Sequence, residues 1–86
     1  MAESDDIRRK RLLYRCRNRG MLETSLLLRK FAERYLAELD GAQLDSFEAL
    51  LDANDNQIYA WVLGQEALPE RFDDRLIQLI RNYKNA

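Results

Sequence analysis

The stretch RNRGMLE, residues 17–23, places residue types that bind charged partners at one short joint. Arg19 and Glu23 lie about one helical turn apart, and Gly20 between them has no side chain. A partner's backbone could therefore approach Gly20 closely, between a guanidinium and a carboxylate. The same residues also suit an ordinary joint, in which Gly20 ends one helix in a left-handed conformation and Glu23 favours the start of the next. On physical grounds alone, the ordinary joint is the preferred interpretation.

The remaining sequence offers little for catalysis or metal binding. It contains no histidine and one cysteine, Cys16, so neither an internal disulfide nor the usual structural zinc sets can form. A general base near neutral pH would have to be a carboxylate or a lysine with a strongly shifted pKa. The sequence also has no nucleophile elbow, phosphate-binding glycine loop or dinucleotide fingerprint. We therefore expect a binding module without a metal, not an enzyme, with Cys16 as a small buried hydrophobe.

The charge is unevenly distributed along the chain although the net charge is only −1. From Ile7 to Arg34 there are ten basic residues and two acidic ones, whereas from Tyr35 to Glu70 there are eight acidic residues and no basic one. This asymmetry could steer a charged partner, or it could let neighbouring helices attract each other within the fold. A sequence pI near 5.4 argues against nucleic acid as the partner.

Apolar spacing and helix-end residues predict five helices and no strand. The first predicted helix is capped by Asp5 or Asp6. The others are predicted to begin at Met21 or Glu23, near Gln43, after Asn54 in a capping box with Gln57, and around Pro69 in a first turn. The first four are predicted to end near Asn18, Leu39, Ala53 and Gly64. We expect Asp73 and Asp74 to favour the N-terminal end of the fifth helix.

The aromatic residues fall mainly on the inward stripes of these helices. Because aromatic side chains bury large areas, we expect Phe31, Phe47, Trp61 and Phe72 to form the core. Two tyrosines flank their stripes and are expected nearer the surface, namely Tyr14 and Tyr59.

The length of 86 residues is enough for one small domain. We predict an all-α five-helix bundle over residues 1–86, with residues 1–6 flexible and the protein monomeric. No apolar run approaches the ~18 residues of a membrane span, and the acidic residues near the N-terminus do not resemble a transit peptide. We therefore expect a cytoplasmic protein that starts at Met1.

Three segments together resemble the small FAD assembly factors of succinate dehydrogenase. They are RLLYRCRNRGMLE (residues 11–23), which includes the family's Arg-Gly-x-x-Glu motif at Arg19, Gly20 and Glu23, then LLLRKFAERYL, and LLDANDNQIYAWVLG (residues 50–64). The sequence departs from the family's pattern at Asn18, where many bacterial members have a second adjacent arginine, and at Gln57, which replaces an acidic residue.

The resemblance implies a five-helix protein that binds the flavoprotein subunit of succinate dehydrogenase, or of fumarate reductase, and promotes covalent attachment of FAD to a histidine of that subunit. FAD would then be the partner's cofactor and would not be tightly bound by this chain. The motif residues Arg19, Gly20 and Glu23 would contact the partner, with three neighbours as weaker candidates, Arg15, Arg17 and Met21.

Two alternatives stay open at this point. Arg19 or Glu23 could take a direct part in the flavin chemistry, instead of holding the flavoprotein in a favourable conformation. Members of the family have also been described as antitoxins, so a protein that counteracts a toxin is the alternative from another class.

Overall fold

Five α-helices and one short 3-10 segment make up the computed structural model, which describes residues 4–85. In chain order they are α1 (Asp5–Arg17), α2 (Leu22–Tyr35), the 3-10 segment (Leu36–Glu38), α3 (Gly41–Leu51), α4 (Asp55–Leu63) and α5 (Asp74–Lys84). The described residues contain no strand. The predicted all-α class and the number of helices are therefore confirmed.

The first helix begins one residue earlier than the sequence indicated. Ser4 is the N-cap, and its hydroxyl accepts a hydrogen bond from the backbone N–H of Ile7 at 3.2 Å. Asp5 and Asp6 lie in the first turn, where the helix dipole favours negative charge, so their prediction as caps was wrong. The prediction that residues 1–6 are flexible falls partly on residues 1–3, which lie outside the described part of the chain, and it stays a prediction.

The second predicted helix is divided near its end. Its α-helical part ends at Tyr35, and the backbone continues as the tighter 3-10 segment before it becomes extended at Leu39. Arg9 of α1 donates hydrogen bonds to the carbonyls of Leu36 and Leu39, at 3.0 and 2.9 Å. The Leu36 carbonyl also accepts the N–H of Leu39 at 3.3 Å, and the Leu39 carbonyl lies just after the 3-10 segment. Arg9 therefore ties the start of the chain to the exit from α2.

A capping box starts α3 and not α4. The Asp40 carboxylate accepts from the N–H of Gln43 at 2.9 Å, and the Gln43 side chain accepts from the N–H of Asp40 at 3.0 Å. The helix therefore begins at Gly41, before the predicted start. Asn54 does cap α4, but it accepts from Asn56 and makes no capping box with Gln57.

The last two helices are separated by a longer connection than predicted. Gly64 ends α4 in the left-handed region, with φ at 76°, which confirms the predicted stop. Pro69 does not lie in the first turn of α5, because residues 69–72 form a separate turn with a bond from the N–H of Phe72 to the Pro69 carbonyl at 3.0 Å. Asp73 is the N-cap of α5 and accepts from the N–H of Arg75.

One hydrophobic core is shared by all five helices. Phe31 of α2 contacts aromatic rings of α3 and α5, with centroids 5.8 Å from Phe47 and 6.1 Å from Tyr83. Trp61 packs on Phe72 at 5.0 Å, which closes the end formed by α4 and α5. The predicted aromatic core is confirmed, with Phe72 only partly buried.

No helix among residues 4–85 is long and apolar enough to cross a membrane.

Candidate partner-binding site

Arg19 of the motif lies inside the fold. Its side chain is only 10% exposed and forms an ion pair with the carboxylate of Asp55. The same guanidinium donates to the backbone carbonyls of Leu51 and Ala53, both at 2.8 Å. These carbonyls lie where α3 ends and the chain turns into α4. Arg19 therefore fastens the joint between α1 and α2 to the turn between α3 and α4.

Asp55 holds the same joint from the other side. One carboxylate oxygen accepts a hydrogen bond from the Arg19 guanidinium, and the other accepts one from the backbone N–H of Met21 at 3.0 Å. The backbone carbonyl of Asp55 accepts a hydrogen bond from the fully buried hydroxyl of Thr24 at 3.2 Å. Because Asp55 opens α4, its negative charge is also favoured by that helix's N-terminal end.

Two further side chains complete the end of α1. Ser25 donates from its hydroxyl to the carbonyl of Cys16 at 2.8 Å, and Asn18 donates from its side chain to the carbonyl of Tyr14 at 2.8 Å. Both bonds satisfy carbonyls in the last turn of the helix. The helix is thus closed by side chains and not by a glycine in the left-handed conformation.

Gly20 does not have the predicted left-handed φ. Among the described residues, Gly64 is the glycine with a positive φ. A methyl group added at Gly20 would meet its nearest atom, a carboxylate oxygen of Asp55, at 3.8 Å, which is an ordinary contact. Gly20 is exposed and lines an open cavity of about 490 Å³ with Tyr14, Asn18 and Asn54. The absent side chain therefore leaves an open surface above the buried ion pair.

Glu23 is the motif residue that faces outward. It lies in the first turn of α2, is exposed, and makes no ion pair or hydrogen bond with another residue of the described chain. Leu22 beside it is 69% exposed, and Leu26 one turn later is 37% exposed. An unpaired carboxylate next to apolar surface suits contact with a protein partner.

The three weaker candidates make contacts within the chain. Arg15 forms an ion pair with Asp52 at 2.5 Å, and Arg17 forms one with Glu33 at 3.6 Å. Met21 is partly buried, and its backbone N–H is held by a carboxylate as described above. The sequence therefore grouped residues that hold this joint together with residues that the joint exposes, and their contact with a partner stays a prediction.

The basic segment of α1 is largely paired with the acidic residues of α3. Arg8 lies 2.6 Å from Asp45 and 3.1 Å from Glu48, and Arg11 lies 3.1 Å from Glu48. The hydrogen bond to Asp45 raises the pKa of Arg8 above its ordinary value, against the opposing effect of burial. Of the two interpretations of the uneven charge, the structure supports attraction between neighbouring helices.

Cys16 lies fully buried on the inner face of α1. Burial raises the pKa of its thiol from 9.0 to about 12, although Arg19 and Arg15 act in the opposite direction. The thiol therefore stays protonated near neutral pH, as expected of a small core residue.

Two residues of this site were missed from the sequence. Asp55 carries no periodic signal that would mark its role, because its partners lie 34 and 36 positions away along the chain. Leu22 could have been found, since it is a large apolar residue outside the inward stripe of α2.

The fold and this joint define a small all-α domain whose α1–α2 joint exposes a glycine, a carboxylate and apolar side chains. The chain belongs to the family described as flavinator of succinate dehydrogenase, whose model matches residues 10–84. The resemblance of the three sequence segments is thereby confirmed.

Individual relatives agree with the family assignment. The chain is 39% identical over 84 residues to succinate dehydrogenase assembly factor 2-B, mitochondrial, of Drosophila ananassae, covering 94% of this chain and 52% of that protein. It is 41% identical over 78 residues to succinate dehydrogenase assembly factor 2, mitochondrial, of Komagataella phaffii. This alignment covers 87% of this chain and 41% of that protein. It is 49% identical over 83 residues to the assembly factor 2 of Debaryomyces hansenii, and this alignment covers 92% of this chain and 58% of that protein. The chain therefore spans about half the length of these curated relatives.

Proposed function

We propose that this protein binds the flavoprotein subunit of succinate dehydrogenase, or of the related fumarate reductase, and promotes covalent attachment of FAD to it. Membership of the flavinator family supports the activity. The observation that supports the site is the exposed, unpaired carboxylate of Glu23, three residues after the exposed Gly20. In this proposal Glu23 and Gly20 meet the flavoprotein, with Leu22 as added apolar contact.

The proposed mechanism is conformational and not enzymatic. Attachment requires the flavin ring to be held against a histidine of the flavoprotein, and correct orientation alone can supply up to ~7–11 kcal/mol in favourable cases. Arg19 is largely buried, and three of its N–H donors are engaged with Asp55 and two backbone carbonyls, which restricts its movement toward a partner's flavin. A direct chemical part for Arg19 is therefore disfavoured, and Glu23 is proposed to act by holding the flavoprotein.

The FAD is proposed to belong to the flavoprotein throughout, with none tightly bound by this chain. The chain is also proposed to act as a monomer, with its buried apolar side chains collected in a single core. A cytoplasmic location stays a prediction from the sequence, while the names of the reported relatives carry the word mitochondrial.

The antitoxin alternative is not favoured. The matched family is described as a flavinator, and the reported relatives are named as succinate dehydrogenase assembly factors. No feature of the site points separately to a toxin partner.

The test is a reconstitution with purified flavoprotein subunit, FAD and this protein, scored by in-gel flavin fluorescence after denaturation. We expect the wild-type chain to raise covalent flavin and to co-purify with the subunit. Glu23→Gln keeps the shape of the side chain but loses the charge, so it is expected to fold normally and to lose most of the stimulation.

The matched control is Glu66→Gln, which removes an exposed carboxylate from the connection after α4. This variant should stimulate attachment as the wild type does. Failure of the wild-type chain to bind the flavoprotein would refute the proposed function. Full stimulation by Glu23→Gln would refute the assignment of Glu23 to the contact surface.

A further inference from the structure

We propose that Asp55 is a positioning residue for flavinylation, which acts by fixing the start of α2 and with it the direction of Glu23. Asp55 lies outside the Arg-Gly-x-x-Glu motif, 32 positions after Glu23 in the chain. The inference rests on the proposed function, since it assigns a residue that prepares the same contact surface.

The start of α2 lacks a cap from its own segment. Met21 is the N-cap residue, and its side chain makes no capping hydrogen bond, unlike those of the caps of the other four helices. In a capping box, a side chain three residues later would accept the N–H of the cap residue. Here the side chain at that position, Thr24, donates to the backbone of Asp55 instead. The Met21 N–H is accepted by the Asp55 carboxylate.

Asp55 therefore supplies from α4 the acceptor that the sequence of α2 does not provide. The bond is held in place because the second carboxylate oxygen is occupied by Arg19, and because both side chains are largely buried, at 17% and 10% exposed. A carboxylate with both oxygens engaged has little freedom to turn. The peptide at Met21 is thereby fixed relative to α4.

Glu23 follows Met21 by two residues, in the first turn of α2. Its own side chain has no contact within the described chain that would orient it, so its direction depends on the backbone that carries it. The first turn of a helix frays unless its orphan N–H groups find acceptors. Loss of the Asp55 contact should therefore let the first turn open and change the direction in which the Glu23 carboxylate is presented.

The test compares Asp55→Asn with a variant that disturbs a similar contact far from the site. Arg81 of α5 donates to the carbonyls of Trp61 and Val62 at the end of α4, as Arg19 does at the end of α3. Arg81→Gln is therefore the matched control for general loss of stability. Thermal unfolding first identifies a temperature at which both variants and the wild type are fully folded.

At that temperature, affinity for the flavoprotein subunit and the yield of covalent flavin are measured for each protein. Asp55→Asn is expected to weaken binding by about tenfold, because a displacement of ~1 Å at a positioned group can cost as much as ~100-fold. Arg81→Gln should bind within about twofold of the wild type, as expected for a distant site. Amide hydrogen exchange at Met21 should be faster in Asp55→Asn alone.

A double variant separates positioning from a purely structural role. If Asp55 acts through Glu23, then Asp55→Asn combined with Glu23→Gln should bind no more weakly than Glu23→Gln alone. Fully additive losses, or wild-type affinity of folded Asp55→Asn, would overturn the inference while leaving the proposed function intact. Should Asp55→Asn not fold, Asp55→Glu replaces it, since it keeps the charge for Arg19 but displaces the oxygen that meets Met21.

Discussion

At the scale of single residues, the Arg-Gly-x-x-Glu motif divides into an inner and an outer part. Arg19 is largely buried and donates three hydrogen bonds within the fold, whereas Glu23 is exposed and makes no hydrogen bond or ion pair in the described chain. Substitution of Arg19 should therefore mainly lower the free energy of unfolding, and substitution of Glu23 should mainly lower function.

The first prediction contrasts Arg19→Ala with Glu23→Ala. Arg19→Ala leaves the Asp55 carboxylate without its cation and two carbonyls without a donor, so we expect a loss of about 3 kcal/mol in the free energy of unfolding. Glu23→Ala removes an exposed charge near the helix start and should cost only about 0.3–0.5 kcal/mol. Urea denaturation followed by circular dichroism measures both. Equal losses in the two variants would contradict this division of the motif.

The second prediction concerns the pH dependence that Cys16 introduces. Its pKa in the folded protein, about 12, lies above the 9.0 of a free thiol. The unfolded state therefore releases this proton first, and the stability due to a neutral buried thiol is full below pH 9 and declines as the pH rises toward 12. Between pH 8 and 10 the wild type should lose more stability than Cys16→Ala, which has no thiol to titrate. Parallel stability curves for the two proteins would show that the thiol is not protected by the fold.

At the scale of helices and their ends, two glycines have opposite roles. Gly64 ends α4 with a φ of 76°, which residues with a side chain rarely adopt, whereas Gly20 lies at a joint whose conformation does not require glycine. The joint at Gly20 is held by side chains from other elements. Stability should therefore depend on Gly64 and not on Gly20.

The third prediction compares alanine at these two positions. Gly64→Ala should lower the free energy of unfolding by about 1 kcal/mol, because alanine is strained in the left-handed region. Gly20→Ala should change it by less than about 0.5 kcal/mol, since the new methyl group meets only an ordinary contact at 3.8 Å. Thermal unfolding of both variants checks the difference. A larger loss in Gly20→Ala would show that this joint does need glycine.

The fourth prediction follows from the ion pairs between α1 and α3. These pairs are partly exposed, so each contributes at most about 1 kcal/mol and is screened by salt. Raising NaCl from about 0.1 M to 1 M should therefore lower the free energy of unfolding by roughly 1 kcal/mol. The control is the double variant Asp45→Asn and Asp52→Asn, which should respond less to salt. An identical response would show that these pairs do not hold α1 against α3.

At the scale of the whole molecule, one core joins all the helices. The radius of gyration of 12.2 Å agrees with the ~12 Å expected for a compact domain of this length. Trp61 lies in the part formed by α4 and α5, while most of the helical backbone lies elsewhere. Fluorescence and circular dichroism therefore report on different parts of one core.

The fifth prediction is that these two probes unfold together. Because small single domains usually unfold in one cooperative step, the urea transition of Trp61 fluorescence should coincide with that of far-ultraviolet circular dichroism. The midpoint should also be independent of protein concentration if the chain is monomeric. An earlier fluorescence transition would show that α4 and α5 separate from the other helices before these unfold.

Local pattern in the sequence was enough to predict the five helices and most of the core. The inward stripes of α2 and α5 and the stop at Gly64 depend on neighbouring residues alone, which is why they could be predicted. The predicted capping box at the start of α4 was wrong. Asn54 with Gln57 and Asp40 with Gln43 both have capping-box spacing, and only the second pair forms one.

Only the tertiary structure decided which motif residue is held inside and which is presented. The spacing of Arg19, Gly20 and Glu23 is compatible with three exposed contacts, and it does not show that a carboxylate 36 residues after Arg19 lies against it. Burial of a guanidinium requires acceptors on several sides, and here they come from Asp55 and from the end of α3. These acceptors surround the guanidinium only after the α3–α4 turn has packed on the α1–α2 joint. The sequence therefore indicated the candidate site, and the packing decided which of its residues is buried and which is exposed.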